Sequence, residues 1–203
     1  LRRSSAASDV YKRQQLTIDR DVQFSVEEAI RGLARRSGAS SATAVVMDVR
    51  TGEIVAMATA PDFDPNRVSQ STEDERRNRA ITDIFEPGST GKIITVAAAI
   101  NEGVVDALSP IRVPGRLKRA DKKFKDYWDH DTLHLTVTGA FAKSSNIGMI
   151  LLAEQMSKET LDLYFEKFGL QQDTGLELPA ESKGLMQPPE QWYGTIPFTL
   201  AFG

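Results

Sequence analysis

From Leu16 onward, apolar-patterned segments alternate with polar, turn-rich ones. Val22, Val26, Ala29, Ile30 and Leu33 recur at helical spacing behind Asp19 or Asp21, either of which can cap a helix that Gly38 stops. Two β-prone runs, 42–49 and 54–60, flank Arg50-Thr51-Gly52-Glu53 and predict an antiparallel hairpin ended by Pro61. Residues 61–86 are polar and predict a long ordered loop or short helical pieces. At Pro87-Gly88 the character switches. Residues 89–100 are apolar on nearly every side, close with Asn101-Glu102-Gly103, and predict a helix at the centre of a domain. Residues 104–134 read as loop. Thr136 or Thr138 can cap a short helix ending near Lys143, Ser144-Ser145-Asn146 interrupts it, and residues 147–155 resume it. A further helix over 159–168 stops at Gly169, and the tail from Gln171 is rich in Gly and Pro. No repeat of solenoid period occurs.

Composition narrows the class. With 203 residues, 40% hydrophobic and 26% charged, the chain is one ordinary globular domain or part of a larger one. No cysteine means no disulfide framework and no thiolate metal site. A net charge of -3 argues against nucleic acid as the main partner. The longest apolar run, 93–100 with Thr95 inside it, is far short of the roughly 20 residues that span a bilayer. Residues 1–14 lack periodicity and read as a non-native leader, the rival reading being a short basic linker, which leaves 15–203 to carry the fold. The start on Leu1 and the end on Phe202-Gly203 suggest a piece of a longer protein.

Ser89 and Lys92 stand three residues apart at a helix start, on one face, so the lysine amine can reach the serine oxygen. A free serine is a poor nucleophile, and a lysine serves as its base only if desolvation or nearby cations leave some neutral amine. The apolar helix supplies burial, and its N-terminus supplies free N–H groups for an oxyanion. About one Ser-x-x-Lys is expected by chance in a chain this long, and a helix-capping serine with an exposed lysine one turn on is the plain alternative. Ser144-x-Asn146 alone would read as a turn bonding to local backbone. Together the two elements form two of the three signatures of serine β-lactamases and penicillin-binding proteins.

From about Leu16 to Gly203 the chain resembles the transpeptidase domain of class B penicillin-binding proteins, of the actinobacterial cell-division type. The shared text includes Leu16-Thr17-Ile18-Asp19, Val46-Met47-Asp48, Thr51-Gly52-Glu53-Ile54, Pro61 with Phe63-Asp64-Pro65-Asn66, and Arg77-Asn78-Arg79-Ala80. It continues through Glu86-Pro87-Gly88-Ser89-Thr90-Gly91-Lys92, Lys143-Ser144-Ser145-Asn146-Ile147-Gly148, Phe168-Gly169 and Pro179-Ala180-Glu181-Ser182. The resemblance implies an α/β, penicillin-recognising serine transpeptidase or β-lactamase-like fold: an antiparallel sheet plus a helical subdomain, with the catalytic helix between them. It implies a peptidoglycan D,D-transpeptidase that takes no cofactor or metal. Its substrate is a stem peptide ending in D-Ala-D-Ala, and β-lactams acylate the same serine. Ser89 would be the nucleophile and Lys92 the base, with Ser144 and Asn146 shuttling a proton and positioning substrate. The intact protein would carry a membrane anchor and a pedestal, work on the extracytoplasmic face of the cell membrane, and meet division-machinery proteins.

Two departures stand out. Gly91 replaces the larger apolar residue of many relatives, so looser packing under the nucleophile is expected. Lys-Thr-Gly, the family signature on the strand lining the other wall of the cleft, does not occur in the 203 residues. In the family that strand supplies an oxyanion N–H, and losing one such donor costs about a hundred- to a thousandfold in rate. The expectation is therefore an incomplete fold, 15–203 forming the front part of the domain, inactive by itself. Two other functions compete: a β-lactamase or β-lactam sensor of the same fold, disfavoured by Asn146, and a non-catalytic module of the division machinery. His130 and His134 lie among Asp126, Asp129 and Asp131, but such carboxylates on a polar loop read as solvated rather than metal-binding. The basic patch 116–125 reads as a solvated loop, and Trp128 and Trp192 as packing anchors.

Overall fold

The computed structural model describes residues 15–203; the expected leader, 1–14, lies outside the described residues. The chain divides between Asp83 and Ile84 into two compact units.

In the first unit, helix α1 (Arg20–Ser37) starts where Asp19 Oδ1 accepts from the N–H groups of Asp21 and Val22 at 2.9 and 3.0 Å. It ends at Gly38, whose φ of 67° is the left-handed stop expected of that glycine. Strands β1 (Ala42–Met47) and β2 (Ile54–Ala60) pair antiparallel, Ala42 opposite Ala60, with a register shift between Val46 and Met47. Four alanines, Ala42, Ala44, Ala58 and Ala60, let α1 pack its Val26–Ile30–Ala34 row close against the hairpin. Leu33 and Ala29, expected on the same face, lie one step off that i, i+4 row and are exposed. Gln23 fixes the helix to β2 by donating to Met57 O and accepting from Met57 N–H, at 2.9 and 2.8 Å. Strand β1 stops at Met47 rather than 49 because Asp48 turns the chain, its carboxylate accepting from Arg50 N–H at 2.8 Å. Arg50-Thr51-Gly52, the nearest spelling to Lys-Thr-Gly in the chain, is this hairpin turn. The polar stretch beyond folds into a 3₁₀ segment (Pro65–Gln70) and α2 (Arg79–Thr82), pinned by Arg79 between Asp74 and Asp83 at 2.6 and 3.0 Å.

The second unit opens with a 3₁₀ turn (Gly88–Thr90) leading into α3 (Lys92–Asn101). Residues 104–134, expected as loop, hold four short strands: β3 (Pro110–Val113) pairs antiparallel with β6 (Leu133–Thr136), and β4 (Leu117–Arg119) with β5 (Lys122–Phe124). Runs of three or four residues are too short to show a period of two, and β3 finds its partner 20 to 26 residues away. The basic patch is thus an ordered hairpin whose ends, Leu117 and Phe124, are buried. Thr136 caps α4 (Val137–Ala142), Ser145 caps α5 (Asn146–Ala153), and Ser157 caps α6 (Lys158–Lys167). A last helix, α7 (Ile196–Leu200), lies in the Gly- and Pro-rich tail.

Helix α5 is the core of this unit: Ile147, Met149, Ile150 and Leu152 are all buried, packed with Ala99, Val113, Val137 and Ala140. Helix α3 buries Ile94, Thr95, Ala98 and Ala99 and leaves Ile93 and Ile100 exposed. Thr95, the one polar residue in its apolar run, donates to Ala201 O at 2.8 Å. Trp192 is fully buried against Ile94, Ala98 and Phe165, its Nε1 donating to Gln187 O at 2.7 Å. Trp128 is half-buried between His130 and the Lys143 ammonium. Among the described residues no helix is long and apolar enough to cross a membrane.

Candidate active site

Ser89 sits in the 3₁₀ turn rather than in the α-helix that follows. That geometry, with about three residues per turn, eclipses positions i and i+3 and stacks Ser89 over Lys92. Gly88 leads into the turn with φ 56°, a conformation that favours glycine. The consequence is an asymmetric pair: Ser89 is exposed, while Lys92 is 1% exposed.

The amine of Lys92 has three oxygen partners. Nζ lies 3.1 Å from Ser89 Oγ, 2.9 Å from Ser144 Oγ and 2.6 Å from the Ser144 carbonyl. The two hydroxyls are themselves 3.1 Å apart, so three polar atoms form a closed triangle. Burial pulls the Lys92 pKa below the ordinary lysine value, against the opposing pull of the Asp126 charge. A lysine so placed can present a lone pair to Ser89 while its two remaining protons go to Ser144.

Ser144 owes its position to a helix end. Its N–H donates to Phe141 O at 2.8 Å and the Ser145 N–H to Ala140 O at 3.0 Å, the paired bonds of a Schellman stop after α4. That stop puts Ser144 at φ 53°, where glycine is the usual residue. A serine there costs on the order of 1 kcal/mol and is tolerated only because the surroundings over-determine it. What glycine lacks is the hydroxyl that touches Lys92.

Ser145 Oγ accepts from Gly148 N–H at 2.8 Å as the cap of α5 and donates to Asp126 Oδ2 at 2.6 Å. Asp126 Oδ1 accepts from Ile147 N–H at 2.9 Å, and His130 Nε2 lies 3.1 Å from Oδ2. The reading of Asp126 as a solvated loop carboxylate is therefore wrong: it is 1% exposed and carries three polar contacts. Asn146, half-buried, donates through Nδ2 to Lys125 O at 3.2 Å, and the Lys92 amine bonds Ser89 and Ser144 instead. The structure thus brings together three of the four sequence-predicted residues and sets Asn146 beside them. Among the described residues no group of three or more His, Cys, Asp or Glu converges on a metal-sized site.

Gly91 does not leave the expected gap. A Cβ there would meet Gly88 O at 3.3 Å and Gly203 Cα and Pro87 Cγ at 3.4 Å, so backbone and proline ring already fill the space.

Comparison with known proteins places this geometry in a wider set. The family described as penicillin binding protein transpeptidase domain matches residues 42–203. Penicillin-binding protein PbpB of Mycolicibacterium smegmatis is 38% identical over 190 residues, covering 93% of this chain and 29% of the relative. Peptidoglycan D,D-transpeptidase FtsI of Escherichia coli is 36% identical over 201 residues, covering 98% of this chain and 34% of the relative. The crystal structure of penicillin-binding protein 3 from Mycobacterium tuberculosis complexed with aztreonam superposes with a TM-score of 0.86 at 38% identity, covering 93% of this chain and 42% of that one. The chain thus spans about a third of the length of the curated relatives it matches.

Proposed function

The chain belongs to the penicillin-binding protein transpeptidase family and carries its α/β fold, and from that premise we propose that its protein is a serine D,D-transpeptidase cross-linking peptidoglycan stem peptides in septal wall synthesis. One observation carries the reading: a buried lysine amine within hydrogen-bond reach of two serine hydroxyls, one of them exposed.

The chemistry follows from that triangle. Neutral Lys92 takes the Ser89 hydroxyl proton as Oγ attacks the carbonyl of the penultimate D-Ala, and the Ser89 N–H, at the start of the turn, is the backbone donor offered to the developing oxyanion. Ser144, in contact with both, passes the proton to the departing D-Ala amine, so the amide bond breaks as the Ser89 ester forms. An amine from a neighbouring strand then attacks the ester; its proton returns through Ser144, the new amide is released, and Ser89 is regenerated. Asn146 holds the stem-peptide backbone at the mouth of the site. Residues 15–203 act as the front part of the catalytic domain, and the work is done outside the cytoplasmic membrane beside the division machinery. β-Lactams enter as mimics of the D-Ala-D-Ala end and stop at the ester.

The test uses the full-length gene product. With a stem-peptide substrate it should release D-Ala and form cross-linked dimer, and with benzylpenicillin it should hold a covalent adduct for many minutes. Rapid turnover of the adduct, with penicilloic acid accumulating, would instead assign a β-lactamase.

A further inference from the structure

The carboxylate of Asp126 is the largest unexplained polar feature of the second unit. Its side chain is fully buried, between His130 and the start of α5. It lies 18 residues before Ser144 in the chain, on the segment that links β5 to β6. Each of its oxygens is engaged: Oδ2 accepts from Ser145 Oγ and faces His130 Nε2, and Oδ1 accepts from Ile147 N–H. Those two donors bracket the turn on both sides of Asn146, immediately after left-handed Ser144.

We propose that Asp126 is a positioning residue for acylation, clamping Ser145 and Ile147 so that Ser144 is held in its left-handed conformation with Oγ against Lys92. This inference rests on the catalytic reading above and deepens it. Ser144 has two ways to relax: rotate out of the left-handed region, or let the first turn of α5 fray. Hydrogen bonds to a buried carboxylate are shorter and stronger than neutral ones, and one at each side of Asn146 opposes both. Ser145 is suited to the arrangement because one hydroxyl caps the helix with its lone pair and binds the carboxylate with its proton. The same charge also opposes the desolvation of Lys92, so the clamp and the base are electrostatically linked.

Asp126→Asn keeps an acceptor for Ile147 N–H but cannot accept the Ser145 hydroxyl proton on its amide nitrogen. In the full-length gene product, stopped-flow acylation by a fluorescent penicillin separates the limiting acylation rate from the concentration for half-saturation. The expected result is a limiting rate lower by roughly ten- to a hundredfold and half-saturation within about threefold of wild type, in a protein that still unfolds cooperatively, at a somewhat lower melting temperature. Ser145→Ala cuts the same contact from the other side and should reproduce the loss, and the double variant should be no worse than either alone. A residue with a merely structural role would lower the melting temperature, raise the concentration for half-saturation with the limiting rate near wild type, and add to Ser145→Ala. A folded Asp126→Asn or Ser145→Ala protein acylated within about twofold of wild type would overturn the proposal. Wild-type protein that takes no label would instead sink the catalytic reading. In that case amide hydrogen exchange decides the clamp: faster exchange of Ile147 and Gly148 in Asp126→Asn supports it, and unchanged exchange overturns it.

Discussion

Lys92 Nζ and Ser144 Oγ are 2.9 Å apart although 52 residues separate them in the chain. Ser89 reaches the same amine through a single 3₁₀ turn. One contact is local and the other tertiary, and catalysis on this account needs both.

Lys92→Met should abolish acylation while leaving the fold at least as stable at pH values where Lys92 is protonated, because there it removes a buried ammonium and keeps most of the side-chain volume. Urea unfolding and fluorescent-penicillin labelling of the variant check the two halves. Lys92→Arg, always charged, should be equally inactive.

The pH dependence has a definite sign. Burial lowers the Lys92 pKa in the folded protein, so between that value and the ordinary lysine value the unfolded chain binds a proton that the folded chain does not. Stability contributed by this residue therefore rises with pH through that window, and below it the cost of burying the ammonium is paid in full. Urea midpoints of wild type and Lys92→Met should converge in wild type's favour as pH climbs. Acylation, which needs the neutral amine, should also accelerate with pH and level off above the depressed pKa.

Gly148→Ala should damage the site from behind. A Cβ there would lie 3.0 Å from Ala140 Cβ and 3.1 Å from Ser145 Oγ. Overpacking costs about 1–3 kcal/mol and the gain in helix propensity returns roughly 1 kcal/mol, so denaturant unfolding should show a net loss. Labelling should slow as well, since the displaced atom is the Ser145 hydroxyl.

Thr95→Val should destabilise by about 1–3 kcal/mol in the same assay, because it strands the buried Ala201 carbonyl, and Thr95→Ser should recover most of the loss.

Local signals were readable and tertiary ones were not. The Gly38 stop and the hairpin of β1 and β2 depend on a few adjacent residues and are legible in sequence, whereas each helix cap is narrowed only to a pair, Asp19 or Asp21 and Thr136 or Thr138, from which the structure selects Asp19 and Thr136. Ser89 and Lys92 can be paired from their local spacing, but that spacing gains weight only together with Ser144-x-Asn146. Ser144 and Asn146 came from resemblance to a family, because nothing in a Ser-Ser-Asn turn announces a lysine 52 residues upstream. Strands β3 to β6 are each too short to show alternation, and β3 and β6 also owe their existence to a distant partner. Asp126 escaped for a related reason: among Lys125, Tyr127, Asp129 and Asp131 it looks like one more solvated charge, and only the packing of α5 removes it from water. Ala29 and Leu33 erred the other way, apolar by spacing but one step off the buried row.

The central claim is that Ser89 is the atom acylated. Intact-mass spectrometry of the full-length gene product after benzylpenicillin should show a single adduct of one penicillin mass, mapped by digestion to the peptide containing Ser89 and absent from Ser89→Ala. An adduct on any other residue, or one that persists in Ser89→Ala, would contradict the account.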